Sequence, residues 1–395
     1  MTFQANIEHC ELVILNTCGF LHSARNESRD YINALIELKK QNIIGRIAVR
    51  GCMPQFEGIE RLAAEFPDVD DWFGVQESLQ PVPSSRHILT ERHVAYLRIA
   101  DGCNRRCAYC TIPNIRGPFR SESEESILQE ARRLAGSGVK ELVVIAQETT
   151  FWGNDLPGKP NLAGLLKNLE KIDNIRWIRL MYTNPHGFND ELIDMFAEGG
   201  KLLPYVDIPL QHANDEILQR MNRGVSKLET ERLLEKLRTR IDNLILRTSF
   251  IVGFPGETDA MFTELLHFVE RWKFERASAF RFSPEKGTPA QQFTPKVPAK
   301  TIDRRLEQLF KITKKYAAGW AHQQKGKILQ VQIDRNYTDE YGRKEPELFI
   351  GRTFADAPDV DPVVYVTGQQ LASGTCIECE ILEVNDLDLV GVAVE

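Results

Sequence analysis

The sequence predicts an α/β protein that ends in a small all-β domain. Three observations lead there. The opening segment alternates strand and helix. The middle of the chain repeats strand and helix six times, and after a long helix near residues 301–323 the pattern breaks into short apolar runs divided by turns.

Taken in order, Glu11–Asn16 is an apolar strand-like run, residues 22–40 have helical spacing, and Ile47–Arg50 reads as a second strand. A helix and the turn Asp71-Trp72-Phe73-Gly74 follow. Residues 76–93, with Pro81, Pro83 and paired serines, read as a linker. The six middle strands are expected at Ala95–Ala100, Glu141–Ala146, Trp177–Met181, Tyr205–Ile208, Ile245–Phe250 and Ala277–Phe282. Helical patterns such as Ser123–Leu134 and Asp259–Trp272 come between them. This alternation calls for a parallel sheet, open or barrel-like, with its chemistry at the C-terminal strand ends. In the tail, apolar runs at Ile328–Ile333, Val363–Val366, Thr375–Leu382 and Leu387–Val394 are separated by turns such as Tyr341-Gly342 and Ser373-Gly374, the pattern of a small β-barrel.

The 395 residues suffice for two or three domains. With 42% hydrophobic and 27% charged residues, the composition is that of an ordinary soluble protein. No run of about 18 apolar residues marks a membrane span. The start, MTFQANIEHCELV, lacks the basic and apolar regions of a signal peptide, so the cytoplasm is the expected location. A net charge of −7 makes no general case for nucleic-acid binding. The eight cysteines are unevenly spread, which favours metal or redox chemistry over a disulfide framework.

The strongest signal is Cys103-Asn104-Arg105-Arg106-Cys107-Ala108-Tyr109-Cys110, directly after the first middle strand. A compact loop of this kind can wrap three thiolates around three corners of an iron–sulfur cube and leave the fourth iron open to a small molecule. The bland alternatives are a zinc site, which normally takes four ligands in paired short spacings, and unrelated core thiols. Cys376 and Cys379 lie three apart on an expected strand, so they face opposite sides and read as ordinary barrel residues.

With these residues in view the chain resembles the radical S-adenosylmethionine (SAM) methylthiotransferase family. In that family an α/β domain with a second cluster precedes a partial (βα)6 TIM-like radical SAM barrel and a C-terminal TRAM barrel. Asn16-Thr17-Cys18-Gly19-Phe20 and Arg50-Gly51-Cys52-Met53-Pro54-Gln55 resemble the family's second and third N-terminal cysteine motifs. The resemblance implies two [4Fe-4S] clusters, one on Cys103, Cys107 and Cys110 and an auxiliary one on Cys18 and Cys52. It puts Tyr109 near the adenine of SAM, Gln147 and Glu148 at its amino group, and Arg247 at its carboxylate or ribose. The glycines of Ile251-Val252-Gly253-Phe254-Pro255-Gly256 would admit the adenine by backbone approach. For Arg247 and His212 the competing reading is packing. The implied domains are 1–76, a linker at 77–88, the radical SAM core at 89–322 and the TRAM domain at 323–395.

Several stretches resemble the branch that modifies an aspartate of the twelfth protein of the small ribosomal subunit. They are Ala146-Gln147-Glu148-Thr149-Thr150, Tyr182-Thr183-Asn184-Pro185-His186, Asp207-Ile208-Pro209-Leu210-Gln211-His212, Gly351-Arg352-Thr353-Phe354-Ala355-Asp356-Ala357-Pro358 and Asp388-Leu389-Val390-Gly391. Charge argues the same way. Residues 327–395 hold 14 Asp+Glu and 5 Lys+Arg, and an acidic barrel repels tRNA while attracting a basic ribosomal protein.

One departure stands out. Nothing matches the family's first N-terminal cysteine motif, and the chain begins just before the strand leading to Cys18. Two expectations follow: a start upstream in a longer gene product, or an incomplete auxiliary cluster. Cys10 is a poor substitute ligand, since eight residues of extended chain span about 26 Å.

The resemblance implies that one SAM methylates sulfur on the auxiliary cluster. A second is then cleaved at the Cys103–Cys110 cluster to a 5′-deoxyadenosyl radical that takes a hydrogen atom from the aspartate β-carbon. Electrons come from a flavodoxin or ferredoxin-type donor. The rival readings are a tRNA methylthiotransferase on the same scaffold and a degenerate cluster protein that binds ribosomes without modifying them. No membrane partner is expected.

Overall fold

The computed structural model describes residues 7–75, 88–339 and 341–394. The chain forms two compact units that cut across chain order. The first gathers Met1–Gln80, Asp101–Arg120 and Ser283–Phe293, and the second gathers Pro81–Ala100, Ser121–Phe282 and Thr294–Glu395. Of the expected linker at 77–88, residues 77–87 lie outside the described residues. No described helix is long and apolar enough to cross a membrane.

In the first unit, strands β1 (Leu12–Thr17), β2 (Arg46–Gly51) and β3 (Asp71–Phe73) form a parallel sheet in that order. Strand β3 is the segment expected to be a turn. Three residues carry too little periodicity to be legible, and pairing with Ala48–Arg50 makes it a strand. Helix α1 (His22–Lys40) buries Ile32, Leu35 and Ile36 on one face against Ile47 and Val49. Its N-cap, Leu21, has no side chain to offer, so Glu285 supplies the missing acceptor: its Oε1 takes the His22 N–H at 2.9 Å. Lys39 and Lys40 close the other end favourably for the helix dipole. The short helices α2 (Cys52–Glu57), α3 (Ile59–Glu65) and α4 (Ile112–Arg116) complete this unit.

Six strands of the second unit lie near their expected places: β4 (Val94–Arg98), β5 (Glu141–Ile145), β6 (Trp177–Leu180), β7 (Tyr205–Asp207), β8 (Ile245–Val252) and β9 (Arg276–Arg281). They run parallel as β4-β5-β6 and β7-β8-β9. The Thr183 N–H, donating to Asp207 O at 3.0 Å, links the two triplets. The helices between strands are α5 (Glu124–Gly136), α6 (Leu162–Glu170), α7 (Asp190–Ala197), α8 (Asp215–Arg220), α9 (Lys227–Arg240) and α10 (Asp259–Trp272). Each starts at a polar residue whose side chain accepts from the first turn: Ser123, Asn161, Asn189, Asn214, Ser226 and Thr258. That fixes helix starts that apolar periodicity alone leaves loose.

After α11 (Ala299–His322), strands β10 (Ile328–Thr338), β11 (Lys344–Arg352), β12 (Val364–Thr367), β13 (Cys376–Asn385) and β14 (Asp388–Ala393) close into a barrel in the order β10-β11-β12-β14-β13. Strand β11 escaped the sequence reading because its first half, Lys-Glu-Pro-Glu, is fully exposed and only its second half faces the core. The segment after β11 turns away from this barrel. Its Ala355 and Ala357 are buried among Val94, Trp177, Tyr205 and Ile245, the first residues of β4, β6, β7 and β8. The stretch taken as a branch marker in the tail thus floors the parallel strands at their N-terminal ends.

Candidate functional site

The loop carrying the three clustered cysteines is closed on itself. The Cys103 N–H donates to Gly117 O at 3.2 Å, and Asn104 Oδ1 accepts the Phe119 N–H at 3.0 Å. Gly102 sits at φ +79, and a Cβ there would lie 2.2 Å from Pro118 O, so only glycine permits this closure. Inside the loop the Cys110 N–H reaches Cys107 O at 3.1 Å, and the Ala290 N–H braces the loop at Ala108 O at 2.9 Å. Cys107 is buried, while Cys103, Tyr109 and Cys110 are half-buried.

Among the described residues no three Cys, His, Asp or Glu side chains converge on a single metal ion. A four-iron cube makes no such demand, because it spreads its thiolates over separate irons. The eight cysteines, all among the described residues, form no disulfide. Three thiols on one closed loop fit a cluster.

Cys18 and Cys52 follow β1 and β2, whose last residues, Thr17 and Gly51, are register partners in parallel strands. The two thiols therefore sit at the same sheet end. Their loops touch: a Cβ on Gly19 would lie 2.4 Å from Cys52 O. The same unit brings the triad's loop against them. The Thr111 hydroxyl donates to Phe20 O at 3.2 Å, and Arg116 Nη2 donates to Cys52 Sγ at 3.3 Å. Cys10 precedes β1, and its carbonyl is engaged by the Gly45 N–H at 2.8 Å, at the opposite end of the strand from Cys18.

Three residues that sequence reasoning missed hold this arrangement. Buried Arg25 donates to Gly19 O at 2.9 Å and to Glu285 Oε2 at 2.9 Å, and it stacks on the Phe56 ring. Glu285 in turn takes the Ser283 hydroxyl at 2.6 Å and the His22 N–H. Arg116 is the third. In the sequence Arg25 looks like a surface residue of an amphipathic helix, and nothing local ties it to Glu285.

The second unit holds the other candidates. Gln147 follows β5, and its Oε1 is a buried acceptor with no hydrogen-bond partner among the described residues, a place that suits an ammonium donor. Glu148 is also buried. Arg247 reaches Asp207 Oδ1 at 2.8 Å and lies 3.8 Å from Asp361 Oδ1. Burial alone would lower its pKa, but the two carboxylates outweigh that and raise it. A SAM carboxylate at Arg247 has to share a guanidinium already engaged by this chain. Gly253 and Gly256 have positive φ, and the space a side chain would take is filled by Ile302 (2.4 Å) and the Arg220 guanidinium (3.0 Å). Their glycines thus have a packing reason independent of adenine. Gly253→Ala is expected to destabilise the protein by roughly 1–3 kcal/mol in urea unfolding. Ile302→Ala in the same chain should recover the steric part and leave the backbone part.

His212 is fully buried, and burial pushes its pKa down to about 3. Its Nδ1 accepts the Asn214 N–H at 3.0 Å, which leaves the proton of the neutral ring on Nε2, 3.8 Å from Glu257 Oε2. That Nε2 is buried with no hydrogen-bond partner among the described residues. The stretches read as branch markers interlock. The Thr149 hydroxyl donates to Met181 O at 2.8 Å, the Asn184 N–H to Thr150 Oγ1 at 3.1 Å, and the Tyr182 N–H to Asp207 Oδ2 at 2.8 Å. Tyr182 pays for that contact with φ +58, and its ring stays exposed. Cys379 lies in the tail barrel's core and Cys376 on its other face. Burial raises both thiol pKa values, that of Cys379 to about 11, so neither is a ready ligand.

Comparison with known proteins adds the following. A family model described as the Radical SAM superfamily matches residues 97–269. One described as the TRAM domain matches residues 325–394, and one described as uncharacterized protein family UPF0004 matches residues 1–74. The chain is 37% identical over 406 residues to the ribosomal protein uS12 methylthiotransferase RimO of Alkaliphilus oremlandii, covering 97% of this chain and 90% of that protein. It is 39% identical to the protein of the same name from Aquifex aeolicus, covering 98% and 89%. Among solved structures it resembles the radical S-adenosylmethionine methyltransferase TsrM from Kitasatospora setae, determined with cobalamin and a [4Fe-4S] cluster. The TM-score is 0.51 at 16% identity over 71% of this chain and 63% of that one, a likeness of fold.

Proposed function

Because the chain belongs to the family of ribosomal protein uS12 methylthiotransferases, we propose that it methylthiolates the β-carbon of an aspartate in uS12, using SAM and iron–sulfur clusters. The single observation that carries this reading is the closed loop of Cys103, Cys107 and Cys110 with the Cys18 and Cys52 loops packed against it in one unit. The domains are 1–76 for the N-terminal part, 77–88 for the linker, 89–322 for the radical SAM core and 323–395 for the TRAM barrel.

In this reading Cys103, Cys107 and Cys110 would hold the cluster that binds SAM, and Cys18 and Cys52 would supply two ligands of an auxiliary cluster that this chain leaves incomplete. When bound, the clusters and SAM supply the one-electron chemistry that removes hydrogen from the aspartate carbon and the sulfur that replaces it. The chain's own residues bind and orient. Gln147 offers its open buried acceptor to the SAM amino group. Tyr109, next to Cys110, shields the adenine side. Arg247, Gly253 and Gly256 are the further residues that the family resemblance assigns to SAM. Holding the reacting atoms in place is worth more than any single contact, which is why so many groups serve the loops and not the chemistry. Electrons come from a flavodoxin or ferredoxin-type donor.

The test is direct. The chain is reconstituted anaerobically with iron and sulfide and given SAM, a reductant and uS12. The expected product is uS12 heavier by one methylthio group on its aspartate, absent with Cys103→Ala. Methylthiolated tRNA with unmodified uS12 would overturn the reading in favour of the RNA branch. SAM cleavage without any methylthiolated product would favour a ribosome-binding protein that has lost the transfer step. A Gln147→Leu variant is expected to raise the SAM concentration for half-maximal rate by about tenfold, one lost hydrogen bond to a charged group, with iron content unchanged.

A further inference from the structure

We propose that Arg98 sets the substrate specificity of the site: its guanidinium receives the side-chain carboxylate of the target aspartate and so fixes the β-carbon beside it. The inference deepens the proposed function and rests on it, because only an anionic target residue calls for this partner.

Alternate residues of a strand share a face. In β4, Val94 and Tyr96 pack with Trp177, Tyr205 and Ile245 on the inner face of the parallel strands, together with Ala355 and Ala357. Arg98, two residues beyond Tyr96, therefore stands on that inner face. It is the last residue of β4, at the end where parallel strands carry their chemistry. Its register partner on β5 is Ile145, which packs with the same cluster. Gln147, with its open buried acceptor, follows two residues later. Arg98 and the proposed SAM contact thus come from the same ends of neighbouring strands.

Among the described residues, Arg98, Arg179, Arg247 and Arg276 are the arginines at inner-face positions of these strands. Three are closely engaged by carboxylates of this chain: Arg179 by Glu141 at 2.9 Å, Arg247 by Asp207 at 2.8 Å and Arg276 by Asp356 at 2.6 Å. Their side chains are 0%, 20% and 6% exposed. Arg98 differs on both counts. Its Nη2 lies 3.5 Å from Glu122 Oε1, and its side chain is 36% exposed. The Glu122 backbone is held beside the end of β4: its N–H donates to Ile99 O at 2.9 Å, and Trp152 Nε1 donates to its carbonyl at 3.0 Å. The pair orients the guanidinium without closing on it. A guanidinium presents a planar fork of donors that matches the two oxygens of a carboxylate, and a carboxylate brought out of water needs a cation. The aspartate β-carbon is bonded directly to that carboxyl group, so anchoring the carboxylate places the carbon from which hydrogen is taken. An amide in the same place offers one acceptor oxygen and no charge.

The reconstituted chain with SAM is titrated with uS12 and with uS12 carrying asparagine in place of the target aspartate. The native chain should bind the aspartate form about 10–100-fold more tightly, the worth of a charge-assisted bidentate pair. Arg98→Gln should weaken binding of the aspartate form by a similar factor and leave the asparagine form unchanged. Arg98→Lys, which keeps the charge and loses the fork, should recover part of the loss, and a thermal melt reports whether each variant is folded. A native chain that binds both forms equally would overturn the proposal. So would a folded Arg98→Gln chain that weakens both forms alike or neither. A second measurement tests the reading beneath it. From uS12 with deuterium on the aspartate β-carbon, the native chain should pass deuterium to 5′-deoxyadenosine, a step that needs no completed auxiliary cluster. If deuterium is transferred while Arg98→Gln binds both forms as the native chain does, the proposal fails alone. If SAM is cleaved and no deuterium is transferred, the reading of the reaction fails and the proposal with it.

Discussion

Changing Cys107 to Ala should abolish methylthiolation of uS12 and lower bound iron by about four atoms per chain. The expectation follows from the loop's construction. Cys107 is the buried member of the triad, and its carbonyl ties back to the Cys110 N–H. A cube left with two thiolates on this loop exposes two irons to solvent and is lost. The loop itself is expected to survive, because it is closed by Gly102, Asn104 and the Cys103–Gly117 hydrogen bond, none of which uses the Cys107 side chain. Two control substitutions sharpen the result. Cys379→Ala should leave iron and product unchanged, since that thiol packs in the tail barrel's core and is held protonated by burial. Cys10→Ala should do the same, because it sits at the wrong end of β1. Iron analysis, the visible absorption of the cluster and the mass of uS12 decide all three. Full product from Cys107→Ala would mean that the triad is not the site of SAM cleavage.

What the sequence revealed and what it hid divide along a physical line. The triad was legible because its ligands are contiguous: three sulfurs on one loop need no tertiary information. The parallel strands were legible from period and spacing, and the structure moves their ends by only a residue or two. Cys18 and Cys52 were legible through their place after two strands, which parallel pairing then set side by side. Arg25, Glu285 and Arg116 were not, because their roles exist only once segments from three parts of the chain meet. Strand β11 was hidden by its exposed polar half. Charge counting misled in part as well. Asp334, Asp356 and Asp361 belong to the acidic tail, yet their side chains are buried against Arg352, Arg276 and Tyr205 and do not contribute to an acidic surface. The acids left to give the tail an acidic surface are others, such as Glu345, Glu347, Glu378, Glu380 and Asp386, which are exposed.

Those buried acids set up the second large effect, an expected loss of stability in Arg352→Met with the chemistry left in place. Arg352 lies at the floor of the parallel strands, where its Nε and Nη2 hold Asp334 at 2.7 and 2.9 Å and its Nη1 holds Glu141 at 2.8 Å. Glu141 also takes Arg179 Nε at 2.9 Å, and Arg179 donates to Phe354 O at 2.8 Å while lying over the Tyr205 ring. Removing Arg352 takes the shared cation from two buried carboxylates and leaves Arg179 at 2.9 Å on Glu141 and only the His93 ring at 2.9 Å on Asp334, which costs about 3–5 kcal/mol. For a unit of this size that lowers Tm by roughly 6–20 °C, read by a thermal melt. Adding Asp334→Asn should return part of the loss by removing the carboxylate that has lost its guanidinium, a result that a simple packing defect would not give. The pH dependence has a defined sign. Burial alone would raise the carboxyls of Glu141 and Asp334, but their cationic neighbours outweigh it and hold both below their ordinary values of 4.5 and 3.8. Their contribution is thus complete above those values and is lost as pH falls below about 4. In Arg352→Met both carboxyls lose a cation and protonate more readily, so the gap between variant and native protein should narrow on acidification. Glu141 is the first residue of β5 and Gln147 follows its last, so the floor and the proposed SAM contact lie at opposite ends of one strand. At temperatures where Arg352→Met stays folded, its turnover should therefore match the native enzyme, which separates what holds this barrel together from what it does.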